Sequence, residues 1–341
     1  MKPPVCPRAF GPPLGTARLK ARPEDFQVEE ILGFEPSEEG EHVFLWVEKR
    51  GRNTEDVAAA LARFAGVPRR QVSYAGLKDR HAVTRQWFCV QLSGKGEPPW
   101  QDCRGEGFAV RRWCRNRRRL RKGALEGNRF RLRLRDFDGD RVALEARLER
   151  IAREGMPNYF GPQRFGRDGA NLEKAAAMLQ GSGKTCSRHR RGLYLSAARA
   201  AIFNRVLALR VEAGCWDRPL PGDLLQFDGS GAYFAAAGID AETGERVARL
   251  ALHPTGPLWG RGERAGGEAG RWEAQAAQEW AGLAAALEAE TQARRRPLRV
   301  RVRALRWRWE GAALVLEFIL PAGSYATRLV HELLETGEET P

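Results

Sequence analysis

The sequence predicts a mainly helical domain inserted into an α+β domain. Three observations carry that expectation. Strand-like segments crowd the region up to residue 135. From about 158 to 295 the chain becomes Ala-rich with helical periodicity, and strand patterns then return over 294–320.

Taken in order, FQVEEIL (26–32) reads as a short strand, and HVFLWVEK (42–49) is apolar on both faces, as a central strand is. TEDVAAALARFAG is a helix with Thr54 as its N-cap, acids in its first turn, and Gly66 and Pro68 at its end. GLKDRHAV has no sustained period and leads as a loop into the strand QWFCVQL (86–92). NRFRLRLR (128–135) alternates strictly, with Arg129, Arg131, Arg133 and Arg135 on one face and apolar residues on the other, so a phosphate-facing strand is expected. DRVALEARLERIAREG (140–155) is a helix stopped by Gly155. The Ala-rich part supplies helices over 196–214, with Ser196 as N-cap, and over 271–294. SRHRR (187–191) precedes the first as a basic loop, and between the two helices 253–270 is a Gly/Pro-rich connector. RRRPLRVRVRALRWRW and AALVLEFIL (312–320) are strands, and GSYATRLVHELLET closes as a helix.

Composition narrows the function. Lys and Arg total 57 against 43 Asp and Glu, a formal charge of +14, which points to a polyanionic partner, RNA or DNA first. No apolar run reaches the ~20 residues of a membrane span and the start lacks a signal-peptide core, so a cytoplasmic protein without a membrane partner is expected. Six scattered Cys without a C-x-x-C pair and five separated His lead to the expectation of no metal. GSGKT (181–185) ends like a phosphate-binding loop, but Met178 stands where the motif needs its first Gly, so no nucleotide cofactor is expected.

Against that basic background one acid stands out. In YAGLKDRHAVTRQWFCVQ (74–91), Asp79 lies between Lys78 and Arg80, with His81, Thr84, Arg85 and Gln86 as polar neighbours. A turn Asp beside two cations is ordinarily a solvated ion pair. In a groove that attracts phosphate it repels the backbone, and it makes sense where a neutral base or sugar carbon arrives. The cations keep it ionised, hence a nucleophile or base rather than a general acid.

This stretch resembles the catalytic motif of the TruD family of pseudouridine synthases. LKARPEDFQVEE (19–30), GNRFRLRLR (127–135), NYFGPQRFGRDGANL (158–172) and LPAGSYATRLVHEL (320–333) resemble further family segments in the same order, so the resemblance spans nearly the whole chain. It implies the pseudouridine-synthase fold, a mixed, mostly antiparallel sheet flanked by helices, in a discontinuous catalytic domain of residues 1–154 and 304–341. Residues 155–303 would form the family's inserted domain. It implies isomerisation of uridine 13 of tRNA without a cofactor, catalysis by Asp79, and Lys20, Phe26, Asn128, Phe130 and Tyr325 around the substrate. Tyr325 stands where family members often have Phe, and its hydroxyl needs a partner if buried. Arg80, Arg117, Arg118 and Arg119 are expected on RNA phosphates, with tRNA as partner and the protein a monomer. A non-catalytic RNA binder and a glycosidic hydrolase are the competing readings.

Overall fold

HVFLWVEK lies deep in a sheet, as two apolar faces require. The computed structural model describes residues 1–92, 94, 96–181, 186–236 and 238–337. Among these residues one sheet has eleven strands: β1 (Gly15–Arg18), β2 (Phe26–Ile31), β3 (His42–Arg50), β4 (Val72–Tyr74), β5 (Val83–Gln91), β6 (Arg104–Gly105), β7 (Phe108–Asn116), β8 (Gly127–Gly139), β9 (Arg303–Glu310), β10 (Ala313–Pro321) and β11 (Glu335–Thr336). Neighbours run β9–β10–β8–β2–β5–β3–β7–β6, with β1 joined to β8 and β11, and β4 to β5. The pairings β2–β5 and β1–β11 are parallel and the others antiparallel, so the sheet is mixed and mostly antiparallel, as predicted.

The chain divides into two compact units. The sheet unit comprises Gly15–Asp140, Arg303–Gly323 and the stretch from Leu334; the other comprises Met1–Leu14, Arg141–Val302 and Ser324–Leu333. In the sheet unit, α1 (Thr54–Phe64) sets Val57, Ala58 and Leu61 against Val43, Leu45, Val47, Phe88 and Val90. Phe44, Trp46, Trp87 and Cys89 form a core on the opposite face, which is why β3 is apolar on both sides. Cross-strand partners share a face, and register carries the α1 face onward through Lys49, Thr84, Val28, Phe130 and Phe318.

The second unit contains α2 (Arg141–Glu154), α3 (Ala170–Leu179), α4 (Arg188–Glu212), α5 (Ala241–Ala248), α6 (Gly267–Glu279), α7 (Ala281–Glu290) and α8 (Ala326–Leu333). α2 ends where Gly155 takes φ +78, with the Val300 carbonyl too close for a side chain. Three expectations need correction here. The long helix begins at Arg188, not near 196: Ser187 is its N-cap, accepting from the Arg190 N–H, and Ser196 lies inside it. The arginines of SRHRR, good helix formers, therefore make a first turn rather than a loop. The expected 271–294 helix is two helices, broken where Trp280 leaves helical geometry at φ −123. Within the Gly/Pro-rich connector, Leu252–Leu258 is a strand between Leu224–Phe227 and Arg294–Pro297. Its prolines had concealed it. No helix among the described residues is long and apolar enough to cross a membrane. Within the GSGKT stretch, residues 182–185 lie outside those described.

Candidate active site

The loop from Ala75 to Ala82 joins β4 to β5 and carries Asp79. Its backbone is held by buried side chains from the elements beneath. Thr54, the first residue of α1, accepts from the Lys78 N–H at 3.0 Å and donates to Gln86 Oε1 at 3.0 Å; Gln86 Nε2 donates to the Gly76 carbonyl at 3.1 Å. The α1 N-cap is thus Asn53 rather than Thr54, whose hydroxyl is committed to the loop. Lys78 turns inward to Glu30 Oε1 at 2.6 Å, and Glu30 Oε2 accepts from the Trp87 N–H at 2.9 Å. Lys49, with 0% exposure, donates to the Asp79 carbonyl at 2.7 Å and the Arg52 carbonyl at 2.9 Å. Every one of these bonds ends on the loop or on a group that holds it.

The Asp79 side chain remains 32% exposed. Oδ2 accepts from Lys20 Nζ at 2.8 Å and Oδ1 from the His81 N–H at 3.0 Å. Burial pushes the carboxyl upward in pKa, but the Lys20 bond and charge, joined by His81, outweigh it and hold Asp79 below its ordinary value. It is an ionised carboxylate at neutral pH. Lys20 itself adopts φ +57, a left-handed backbone costing a non-Gly residue about 1–2 kcal/mol, which aims its ammonium at Asp79 and sets it 4.8 Å from the Phe26 ring centroid.

Phe26 meets Phe130 edge-on at 6.3 Å, and Phe130 stacks on Phe318 at 5.4 Å. Phe26 and Phe130 are only 5% and 6% exposed, so an incoming base meets the rim of these rings rather than an open face. Asn128, opposite Glu30 and one pleat from Phe130, is buried with its Oδ1 lacking a hydrogen-bond partner among the described residues; Thr84 Oγ1 is likewise unsatisfied. An orphaned buried acceptor costs about 1–3 kcal/mol, a cost that a ligand donor would relieve.

The sheet unit therefore brings Lys20, Phe26, Asn128, Phe130 and Asp79 into one constellation. Tyr325 belongs to the other unit, where its ring meets Phe160 edge-on at 6.2 Å and its hydroxyl accepts from Arg164 Nη2 at 2.9 Å, the partner its polar group requires. Arg80 is exposed, its Nε directed to the Gly51 carbonyl at 3.3 Å. Arg117, Arg118 and Arg119 are exposed and, with Phe34, His42 and Leu120, line a pocket of about 860 Å³; Arg117 pairs with Glu39, and Arg119 donates to the Arg70 carbonyl. The Arg face of β8 differs from expectation. Arg131 faces Glu317, Arg133 pairs with Glu310 and Arg135 with Asp25, because the acids absent from residues 128–135 arrive on β10, β9 and the turn before β2. Sequence reading missed Lys49, which looks like the solvated end of a strand, and Leu77, which is 61% exposed two residues from Asp79.

Comparison with known proteins sets this constellation in a family. The sequence model of the family "tRNA pseudouridine synthase D (TruD)" matches residues 12–182 and 170–333. The chain is 48% identical over 332 residues to the tRNA pseudouridine synthase D of Methylococcus capsulatus, covering 96% of this chain and 94% of that one. It is 49% identical over 337 residues to the tRNA pseudouridine synthase D of Nitrosococcus oceani, covering 97% and 94%. The crystal structure of a putative tRNA pseudouridine synthase D from Methanosarcina mazei matches the fold with a TM-score of 0.71 at 22% identity, over 97% of this chain and 96% of that one.

Proposed function

This chain belongs to the tRNA pseudouridine synthase D (TruD) family, and from that premise we propose that it isomerises uridine 13 of tRNA to pseudouridine, with Asp79 essential and no cofactor. One observation supports the reading above the others: a partly exposed carboxylate, held below its ordinary pKa by Lys20, shares that ammonium with the Phe26 ring, which in turn meets Phe130 edge-on. The reaction breaks C1′–N1, turns the uracil, closes C1′–C5, and gives up the C5 proton while N1 takes one up, so that the product is an isomer of the substrate. Nothing is oxidised or reduced overall, so side chains suffice. An ionised Asp79 serves it by attacking C1′, by adding to C6 or by taking a sugar proton.

The other residues take roles that follow from their chemistry. The uridine must leave its stack at a cost of a few kcal/mol, which contact with the Phe26 and Phe130 rims offsets in part; Tyr325, of the other compact unit, is proposed as a further aromatic contact of the substrate. The unsatisfied Asn128 amide oxygen suits the uracil N3–H. Lys20 orients and charges Asp79. Arg80, Arg117, Arg118 and Arg119 contact tRNA phosphates. We assign catalysis to residues 1–154 and 304–341 and the inserted domain to 155–303; this differs from the two compact units chiefly in giving Met1–Leu14, α2 and α8 to the catalytic part.

Asp79→Asn on unmodified tRNA tests the reading by base-resolved pseudouridine mapping. The variant is expected to form no pseudouridine while tRNA affinity stays within a few-fold. Conversion at the wild-type rate would overturn the assignment of Asp79, and pseudouridine at a position other than 13 would overturn the specificity.

A further inference from the structure

We propose that Lys49 is a positioning residue for the isomerisation, fixing the Asp79 carboxylate by gripping the backbone of its own residue from beneath. The inference rests on the reading of Asp79 given above. Lys49 is 0% exposed, and its ammonium donates to the carbonyls of Asp79 at 2.7 Å and Arg52 at 2.9 Å, with a longer contact of 3.5 Å to the Lys78 carbonyl. Among the described residues its bonded acceptors are backbone carbonyls and not carboxylates. A buried ammonium without a bonded anion costs several kcal/mol in desolvation, and a Met of similar volume would be the cheaper filling if the position served packing alone. What the ammonium adds is a rigid link between two backbones, the β3–α1 turn at Arg52 and the loop at Asp79.

The two lysines hold different parts of one residue. Lys20 bonds the Asp79 carboxylate from the front, whereas Lys49 bonds the carbonyl of the same residue from behind. Removing Lys49 leaves the carboxylate charged but frees the backbone that aims it. A displacement of about 1 Å at a reacting group costs on the order of 100-fold in rate. Burial of Lys49 also lowers its pKa to about 8 from the ordinary 10.5, with Asp79 opposing that fall and Lys78 adding to it.

Single-turnover pseudouridine formation and tRNA affinity are measured for the wild type, Lys49→Met, Lys49→Arg and Asp79→Asn. Lys49→Met is expected to lose about 100-fold in the chemical rate with tRNA affinity within about threefold. Lys49→Arg keeps the charge and the donors, folds, and falls between Lys49→Met and the wild type. A wild-type rate in Lys49→Met, a parallel loss of rate and affinity, or Lys49→Arg slower than Lys49→Met overturns the proposal. If Lys49→Met does not fold, Lys49→Arg decides alone: slower chemistry at unchanged affinity supports the proposal and an unchanged rate overturns it. Full activity in Asp79→Asn would instead overturn the underlying reading, which keeps the two failures apart.

Discussion

In the proposed reaction Asp79 works only as an anion, and Lys20 is the cation bonded to its carboxylate. Lys20→Met removes the cation that favours the ionised form, so the Asp79 pKa rises. Ionisation is then complete only at higher pH, and the acid limb of the pH–rate profile moves upward, with a larger loss of activity at pH 5 than at pH 8. An acid limb that stays in place would assign the charge of Asp79 to other neighbours. At this scale the sequence was partly legible. A lone acid in a cationic loop is visible as a type and a spacing, and so is a GNRF strand start. Lys49 is not, because the end of an apolar strand is ordinarily wet. Its burial comes from a loop almost thirty positions later that folds over it, and no local pattern records that.

Elements were more legible where periodicity dominates. β3, α1 and α2 fall where their apolar patterns place them, although the cap of α1 is Asn53 and not Thr54, while the strand Leu252–Leu258 hid behind its prolines and α4 began earlier than its apolar pattern. The true start of α4 has a measurable consequence. Ser187 is its capping side chain, so Ser187→Ala is expected to lower stability by about 1 kcal/mol in urea unfolding, while Ser196→Ala does not remove a cap. A larger cost at Ser196 would point instead to its bond from Arg164 Nη1 at 3.1 Å as the stronger tie. The β8 face teaches the complementary lesson: four arginines in one strand say nothing of the acids that neighbouring strands set against them.

The whole molecule carries +14, and that excess sets how it meets RNA. Neutralising Arg117, Arg118 and Arg119 together is expected to weaken tRNA binding and to flatten the slope of log affinity against log salt by up to about three, roughly one for each phosphate left without its cation. An unchanged slope would remove that pocket from the interface. Fold class was legible from the succession of strand, helix and strand, and the structure builds one sheet from both ends of the chain, β10 pairing with β8.

That construction bears on synthesis. During translation β8 is complete at Gly139, yet its partner β10 begins only at Ala313. At about 5–20 residues per second the ribosome leaves that strand's hydrogen-bonding edge bare for on the order of ten seconds or longer. Arg131 and Arg133 then stand along it as gatekeepers, their charge deterring a second nascent chain until Glu317 and Glu310 emerge and pair with them.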